Sequence, residues 1–450
     1  MFEFYIILTG AVILIGGLWA WRTTRDPFYP AVVITPLFFY FYCVWPLIIE
    51  RDGELAFLFG PEQLDYVALL YLFSIVALYV GLLQFPRRVR LLRRQRDNML
   101  HLVLAGIRPA DIYALGIFLG LLSVLAYLHL LENAGGFLAA YSRSKGGGYA
   151  SSGYIGEATL LSFPAIALIA IARRTANRLR IQDVILVLLI AAPHLIQGTI
   201  GGRRGPLFLI LMTLLVAWYW SRGRRPSLGG LFLGVLAISL AVLAIFSHRS
   251  DIRVGADVEF DLSRLIGNVA PESVLIANAW IGNEYAAGIA TVLTSDYHHD
   301  YYWGYRYFVT FLIRPIPRQI WPSKYEDMGA DWLRHEDSYV MERSIAAVGY
   351  PLVNGASTGS IADVYMEFAW GVVLVFYLLG RAFGLAWRRH RTRGGIWSVW
   401  FIAMLVLSIY LPTQSFSAWL HRLLFMGIVT SLFWRFWIRP RRVVGRMKER

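Results

Sequence analysis

Apolar residues in this 450-residue chain gather in runs of about 20, the length a helix needs to cross a ~30 Å hydrocarbon core. Eleven runs can be drawn, at roughly 2–21, 28–49, 64–85, 111–131, 156–172, 181–200, 206–220, 229–247, 361–386, 396–412 and 420–438. Backbone in lipid must satisfy its own hydrogen bonds, so runs this long predict helices. The pattern predicts eight helices over 1–247, one large polar loop over 248–360, and three helices with a basic tail over 361–450. Inside the loop, interfacial helices are expected near 271–295 and 302–314, followed by the proline-broken segment RPIPRQIWP at 314–322. No internal repeat or inverted symmetry is visible.

Composition agrees with this pattern. The chain is 57% hydrophobic and 16% charged, with a mean hydropathy of +0.52. That excludes an ordinary soluble enzyme, a disordered chain and a secreted disulfide scaffold. Cys43 is the single cysteine, so no disulfide forms within the chain. The N-terminus has no positive n-region and no small-residue cleavage site, and reads as a first span rather than a signal peptide.

The net charge of +14 first suggests nucleic acid, but its distribution points elsewhere. Of the 43 Lys and Arg residues, 27 fall on one set of alternate loops and the tail, with only 5 of the 29 acidic residues. Such asymmetry marks the cytoplasmic side. The N-terminus is therefore expected outside and the C-terminus inside. The basic clusters face lipid headgroups, and nucleic acid is not expected as a partner.

The informative residues are the cations left on the acidic outer side. Arg203 and Arg204 lie in GTIGGRRGP at 198–206, where glycines allow close approach and guanidinium forks suit phosphate. The competing reading is snorkelling to lipid phosphates. Arg314, Arg318 and Lys324 lie in RPIPRQIWPSK with Trp321, a set suited to an anion beside a sugar or to interfacial anchoring. His248, Arg249, Asp251 and Arg253 follow the eighth run, either as phosphate contacts or as ion pairs. In DYHHD at 296–300, His298 and His299 lack the spacing of a helical zinc pair; a solvated loop or a proton acceptor fits better, as for His335. DVEFD at 257–261 reads as an acidic turn. No metal and no cofactor are expected. Asp363 and Glu367 are four apart, hence on one helix face at the outer end of the ninth run. Either can act as a base, orient an arginine, or simply pair with one. DYYWGYRYF at 300–308, with Trp303, suits an interfacial aromatic belt or stacking on sugars.

Four segments together resemble the O-antigen (oligosaccharide repeat unit) polymerases, the Wzy-type family. They are GGRRGP, with Arg204 at the family's arginine position; Arg249 after the next span; IPRQIWPSK at 316–324, with Lys324 at the basic position; and STGSIADVYMEFAWG at 357–371. In the last, Phe368-Ala369 stands where the family usually has Phe-Gly. The resemblance implies a GT-C-like, all-α polytopic glycosyltransferase of the bacterial inner membrane. Its substrates would be undecaprenyl-diphosphate-linked oligosaccharides, as donor and acceptor, at the outer face. It also implies an active-site lid in the 248–360 loop and a partnership with a polysaccharide chain-length regulator. On this reading Arg203, Arg204, Arg249, Arg253, Arg314, Arg318 and Lys324 serve the diphosphate. His298, His299, His335 or Asp363 serves as base, and Trp303, Trp321 and Glu367 contact glycan. A glycan ligase of similar architecture and a lipid-linked oligosaccharide flippase are the alternatives. Sparse mid-span polar residues, His194 and Gln197 being the clearest, favour an enzyme over a transporter.

Overall fold

The computed structural model describes residues 1–51, 53–85, 107–142, 154–174, 179–222, 226–247, 284–314, 316, 320–330, 336–349, 352 and 357–438. Their regular structure is helical: α1 (Phe2–Thr24), α2 (Pro30–Arg51), α3 (Pro61–Leu83), α4 (Pro109–Asn133), α5 (Ile155–Arg173), α6 (Ile181–Thr199), α7 (Arg204–Ser221), α8 (Leu228–Ser247), α9 (Glu284–His298), α10 (305–313), α11 (Glu336–Val348), α12 (Gly359–Phe368), α13 (Val372–Arg393), α14 (Ile396–Leu407) and α15 (Phe416–Trp437). Eight segments are long and apolar enough to cross a membrane: α1 to α6, α12 with α13 taken together, and α15. Three shorter apolar helices, Gly205–Ser221, Gly229–Val242 and Ile396–Leu407, occupy the seventh, eighth and tenth expected runs. The chain is a multi-pass, helical membrane protein.

Local sequence explains the helix starts. Pro30, Pro61 and Pro109 each sit at the first helical position, where the missing N–H costs nothing. Gln63 reaches back to the Gly60 N–H at 2.9 Å. In α2 the π-helical turn Tyr40–Val44 runs up to Trp45-Pro46, where proline cannot continue the regular bonding pattern.

Two compact units divide the chain. The first is Met1–Arg90, Gly267–Leu385 and Leu407–His421; the second is Leu91–Ile266, Ala386–Val406 and Arg422–Arg450. In the first unit, α1 packs on α2 and α3. The Met1 ammonium lies 3.6 Å from Asp65, so α1 and α3 start at the same end. Thr35 bonds the Tyr79 hydroxyl at 2.8 Å. Gly81 of α3 and Gly380 of α13 bring the two backbones into direct contact, the small-residue packing that membrane helices use where hydrophobic driving force is absent.

In the second unit, α5 is buried on every side from Ser162 to Ala172 and forms the centre of α4, α6 and α7. His194 of α6 lies 3.2 Å from the Ser162 hydroxyl and edge-on to Phe163. His390 is stacked between Trp220 and Phe401, with Nδ1 2.8 Å from Ser398. At the basic end, fully buried Asp183 accepts from Arg173 (2.8 Å), from the Tyr113 hydroxyl (2.7 Å) and from the Arg180 N–H (2.8 Å). One carboxylate thereby joins the ends of α4, α5 and α6. Asp183→Asn keeps the shape but loses the charge, and is expected to destabilise by about 1–3 kcal/mol. Melting of the detergent-solubilised protein checks this; an unchanged melting point would show that the clamp contributes nothing.

Candidate active site

The first unit holds a cluster of buried polar groups in apolar surroundings. It is built from α9, the turn after it, α10 and α12. Helix α9 is apolar through Tyr285–Leu293 and buried along that stretch. Gly288 permits its close approach: a Cβ there would overlap the Tyr71 hydroxyl and come within 2.8 Å of the Thr358 carbonyl. The helix ends where His299 turns left-handed (φ 49°), with Asp300 N–H bonded to Ser295 O at 3.2 Å.

The chain then crosses the end of α12. Tyr302 N–H donates to Met366 O (3.2 Å), Trp303 N–H to Glu367 O (2.8 Å) and Gly304 N–H to the Glu367 carboxylate (2.8 Å). The first two bonds cap carbonyls that a helix end leaves open, and the third holds the Glu367 side chain. Trp303 and Gly304 take positive φ (51° and 88°) to do so. Helix α12 itself stops because Ala369 adopts φ 48°, ψ −134°, a conformation suited to glycine. That is the physical reason for a Phe-Gly pattern at this point, and Ala369 holds the strained geometry without it. The ninth apolar run is therefore a short buried half-helix followed by a long one.

Asp363 and Glu367 project from one face of α12 and are almost fully buried, as their spacing predicts. Their shared partner is Arg306 of α10. Its Nη2 lies 2.8 Å from Asp363 Oδ1 and its Nη1 lies 3.4 Å from Glu367 Oε1. Asp363 Oδ2 also accepts from the Tyr307 hydroxyl (3.0 Å) and the Ser417 N–H (3.1 Å). The guanidinium lies 5.5 Å from the Tyr302 ring centroid. Burial opposes the charge on Arg306, but Asp363 and Glu367 outweigh it and raise the group above its ordinary range. Burial, and then the Asp363 charge, push the Tyr307 phenol up, so it remains a donor.

A second network adjoins this one through α12. Tyr301 and Tyr365 hydroxyls lie 3.1 and 3.2 Å from Asp296 Oδ1. Tyr365 is 2.7 Å from the Tyr66 hydroxyl, which accepts from Trp370 Nε1 at 3.1 Å. The indole can only donate. An ionised carboxylate can only accept, so Tyr365 donates its one proton to Asp296 and Tyr66 donates to Tyr365. Burial is the main cause raising the Tyr301 phenol, which stays protonated as a donor.

The other expected site residues take varied positions. Lys324 is buried, and its ammonium donates to the carbonyls of Ile313 (3.2 Å), Arg314 (2.7 Å) and Ile316. Residues 315 and 317 are prolines that cannot donate, so backbone donors are scarce in this turn. The ammonium bonds the Arg314 and Ile316 carbonyls and adds a second bond to that of Ile313, which also accepts from Ile316 N–H at 3.1 Å. Its charge thus orders the turn rather than facing outward. Trp321 donates to Asp327 (2.5 Å) and packs on Val309, Ile313 and Tyr325. That bond and the Ser323 hydroxyl lower the Asp327 carboxyl. Arg314 and Trp303 are exposed. His298 Nε2 is 3.3 Å from Arg343 O, Arg343 pairs with Asp300 at 2.7 Å, and His299 is exposed. Arg203 and Arg204 belong to the second unit. Arg203 is exposed and precedes α7, and Arg204 is its first residue. Gly202 (φ 58°) forms the preceding turn, with Arg203 N–H on Gln197 O at 3.2 Å. Arg249, Arg253, Arg318, His335 and the DVEFD segment lie outside the described residues. Among the described residues, no group of three or more His, Cys, Asp or Glu could hold a metal ion.

Arg306, Tyr307, Asp296, Tyr301 and Tyr365 are the site residues that reading the sequence missed. A signal for Arg306 existed: it is another arginine on the acidic side, two residues after a glycine, but it sits in an aromatic run that reads as a belt.

Comparison with known proteins supplies the frame for this site. No curated protein and no solved structure matches the chain. The family model described as O-antigen polysaccharide polymerase Wzy matches residues 2–439, which cover most of both units and every residue of the buried cluster. With nearly its whole length matched, the chain belongs to the O-antigen polysaccharide polymerase Wzy family.

Proposed function

We propose that this chain polymerises undecaprenyl-diphosphate-linked oligosaccharide repeat units by glycosyl transfer at the outer face of the bacterial inner membrane. The observation that carries the reading is the family match over residues 2–439. The buried Arg306–Asp363–Glu367 cluster supports it, because ionisable groups buried in an apolar chain are costly even when paired and mark functional sites. The three shorter helices are read as further crossings, giving eleven in a GT-C-like arrangement. The positive-inside pattern supports an orientation with the N-terminus outside, the C-terminus inside and the α9–α12 segment at the outer face. The 248–360 segment acts as the lid, and a chain-length regulator is the proposed protein partner.

In the reaction, the bond between the anomeric carbon and the donor diphosphate breaks while the acceptor hydroxyl attacks. Charge grows on the departing diphosphate, and preorganised cations stabilise it. Arg203, Arg204, Arg249, Arg253, Arg314 and Arg318 are the proposed set. Lys324 contributes indirectly, by ordering the turn that carries Arg314. Both oxygens of Asp363 are engaged, which favours an orienting role over that of a base. Glu367 holds the Trp303–Gly304 backbone and so acts on glycan through the turn. His298, His299 and His335 remain proposed proton acceptors from the histidine set.

The test is a strain lacking this protein, with surface glycan resolved on a gel. The expected result is loss of the ladder with one repeat unit retained, and recovery on complementation. An unchanged ladder would overturn the reading. Loss of every repeat would point instead to the flippase or ligase.

A further inference from the structure

We propose that Asp296, in place of His298, His299 and His335, takes the proton of the attacking sugar hydroxyl, and that the acceptor sugar stacks on the exposed ring of Trp303. The inference deepens the glycosyl-transfer reading and rests on it. Asp296 stands at the last turn of a helix packed on α3, α11 and α12, so its backbone is rigidly placed. Its Oδ1 is clamped by two phenols at 3.1 and 3.2 Å. The acceptor-only carboxylate sets the direction of the chain behind them: Tyr365 donates its one proton to Asp296, Tyr66 donates to Tyr365, and Trp370 Nε1 donates to Tyr66. Donation of this kind orients the carboxylate. Among the described residues, Oδ2 accepts no hydrogen bond, and Asp296 is only half-buried, so that oxygen is available to a ligand.

Trp303 completes the site. Its side chain is 71% exposed, although the adjoining Tyr307 and Glu367 are buried. The ring lies 6.3 Å from that of Tyr301, centroid to centroid, so Tyr301 links the platform to the carboxylate. Trp303 holds a left-handed backbone, fixed by its N–H on Glu367 O. A bulky residue keeps such a conformation only where its surroundings enforce it. A flat aromatic face joined through Tyr301 to a fixed carboxylate is the chemistry that recognises a pyranose: C–H groups stack on the ring and a hydroxyl donates to the carboxylate.

The step balances. The acceptor O–H bond breaks and its proton goes to Asp296 Oδ2. The acceptor oxygen forms the bond to the donor anomeric carbon. The bond from that carbon to the diphosphate oxygen breaks, and the electron pair leaves with the diphosphate. Asp296 then releases the proton to water. Tyr365, Tyr66 and Trp370 are positioning residues that act through Asp296.

The test uses the full-length protein in lipid nanodiscs, with undecaprenyl-diphosphate-linked repeat units extracted from the deletion strain. Elongation rate is measured against lipid-linked substrate concentration. Asp296→Asn is expected to lower kcat about 100-fold or more, with Asp296→Glu recovering part of it. Trp303→Ala is expected to raise KM about tenfold while kcat changes little, and Trp303→Phe to restore KM. Should Asp296→Asn fail to accumulate, Tyr365→Phe serves instead: it lowers kcat several-fold with KM unchanged. Wild-type kcat in Asp296→Asn, or in Tyr365→Phe, overturns the inference while leaving polymerisation intact. No elongation by the wild-type protein overturns the glycosyl-transfer reading itself, which separates the two failures.

Discussion

Replacing Arg306 with alanine is expected to destabilise the protein by about 3–5 kcal/mol and to collapse the glycan ladder. The guanidinium touches two carboxylates through different nitrogens, Asp363 at 2.8 Å and Glu367 at 3.4 Å. Both carboxylates are essentially removed from solvent. Alanine leaves two buried like charges facing each other with no counter-charge. The loss is then the penalty of an uncompensated buried charge, which exceeds the net worth of the intact pair. Arg306→Lys keeps one positive charge but not the planar fork that spans both partners, and should fall between wild type and alanine. A triple replacement, Arg306→Met with Asp363→Asn and Glu367→Gln, removes the charges together. It should regain much of the stability lost in Arg306→Ala while polymer stays absent. Melting in detergent and the ladder in complemented cells read the two effects separately. Wild-type melting of Arg306→Ala would show that the cluster is not what holds α10 against α12.

Gly380→Leu is expected to prevent accumulation of folded protein, and Gly380→Ala to lower its melting point. A Cβ on Gly380 would overlap the Leu78 carbonyl oxygen and come within 2.9 Å of Leu82 N. The relation is reciprocal: a Cβ on Gly81 would overlap the Tyr377 carbonyl oxygen and lie 2.9 Å from Arg381 N. Backbone, unlike a flexible side-chain tip, cannot turn aside. The two helices would have to separate, which forfeits packing along their contact as well as straining it. Overfilled sites usually cost about 1–3 kcal/mol when side chains can yield, and here they cannot. Gly229→Ala is the control, because nothing lies within 4 Å of its added carbon. Equal yields of Gly380→Leu and Gly229→Ala would refute the close contact.

Each kind of residue was legible to a different extent. The helices could be read because lipid imposes one demand on every span, about 20 apolar residues with internal hydrogen bonding. The break at Ala369 could not, since alanine favours helix and its positive φ is enforced by neighbours. Asp363 and Glu367 were legible as a pair because helical period alone puts them on one face. Arg306 was not assigned to them: it lies 57 residues before Asp363 in the chain. Lys324 illustrates the opposite case. Its segment has the composition of an anion site, but the ammonium is turned inward to carbonyls beside two prolines. Asp296 lay inside DYHHD, where the histidines drew attention. Its role depends on tyrosines from α3, the turn after α9, and α12.

The sequence by itself determined the multi-pass helical class, the expected orientation and the resemblance to the polymerases, because these follow from properties that sum along the chain: apolar length, charge per loop and short motifs. The tertiary structure alone decided which charges meet. Pairing of Arg306 with Asp363 and Glu367, and of Asp296 with its tyrosines, depends on where distant helices cross. Burial then decides their meaning, since the same ion pair is nearly worthless in water and costly to break inside an apolar protein.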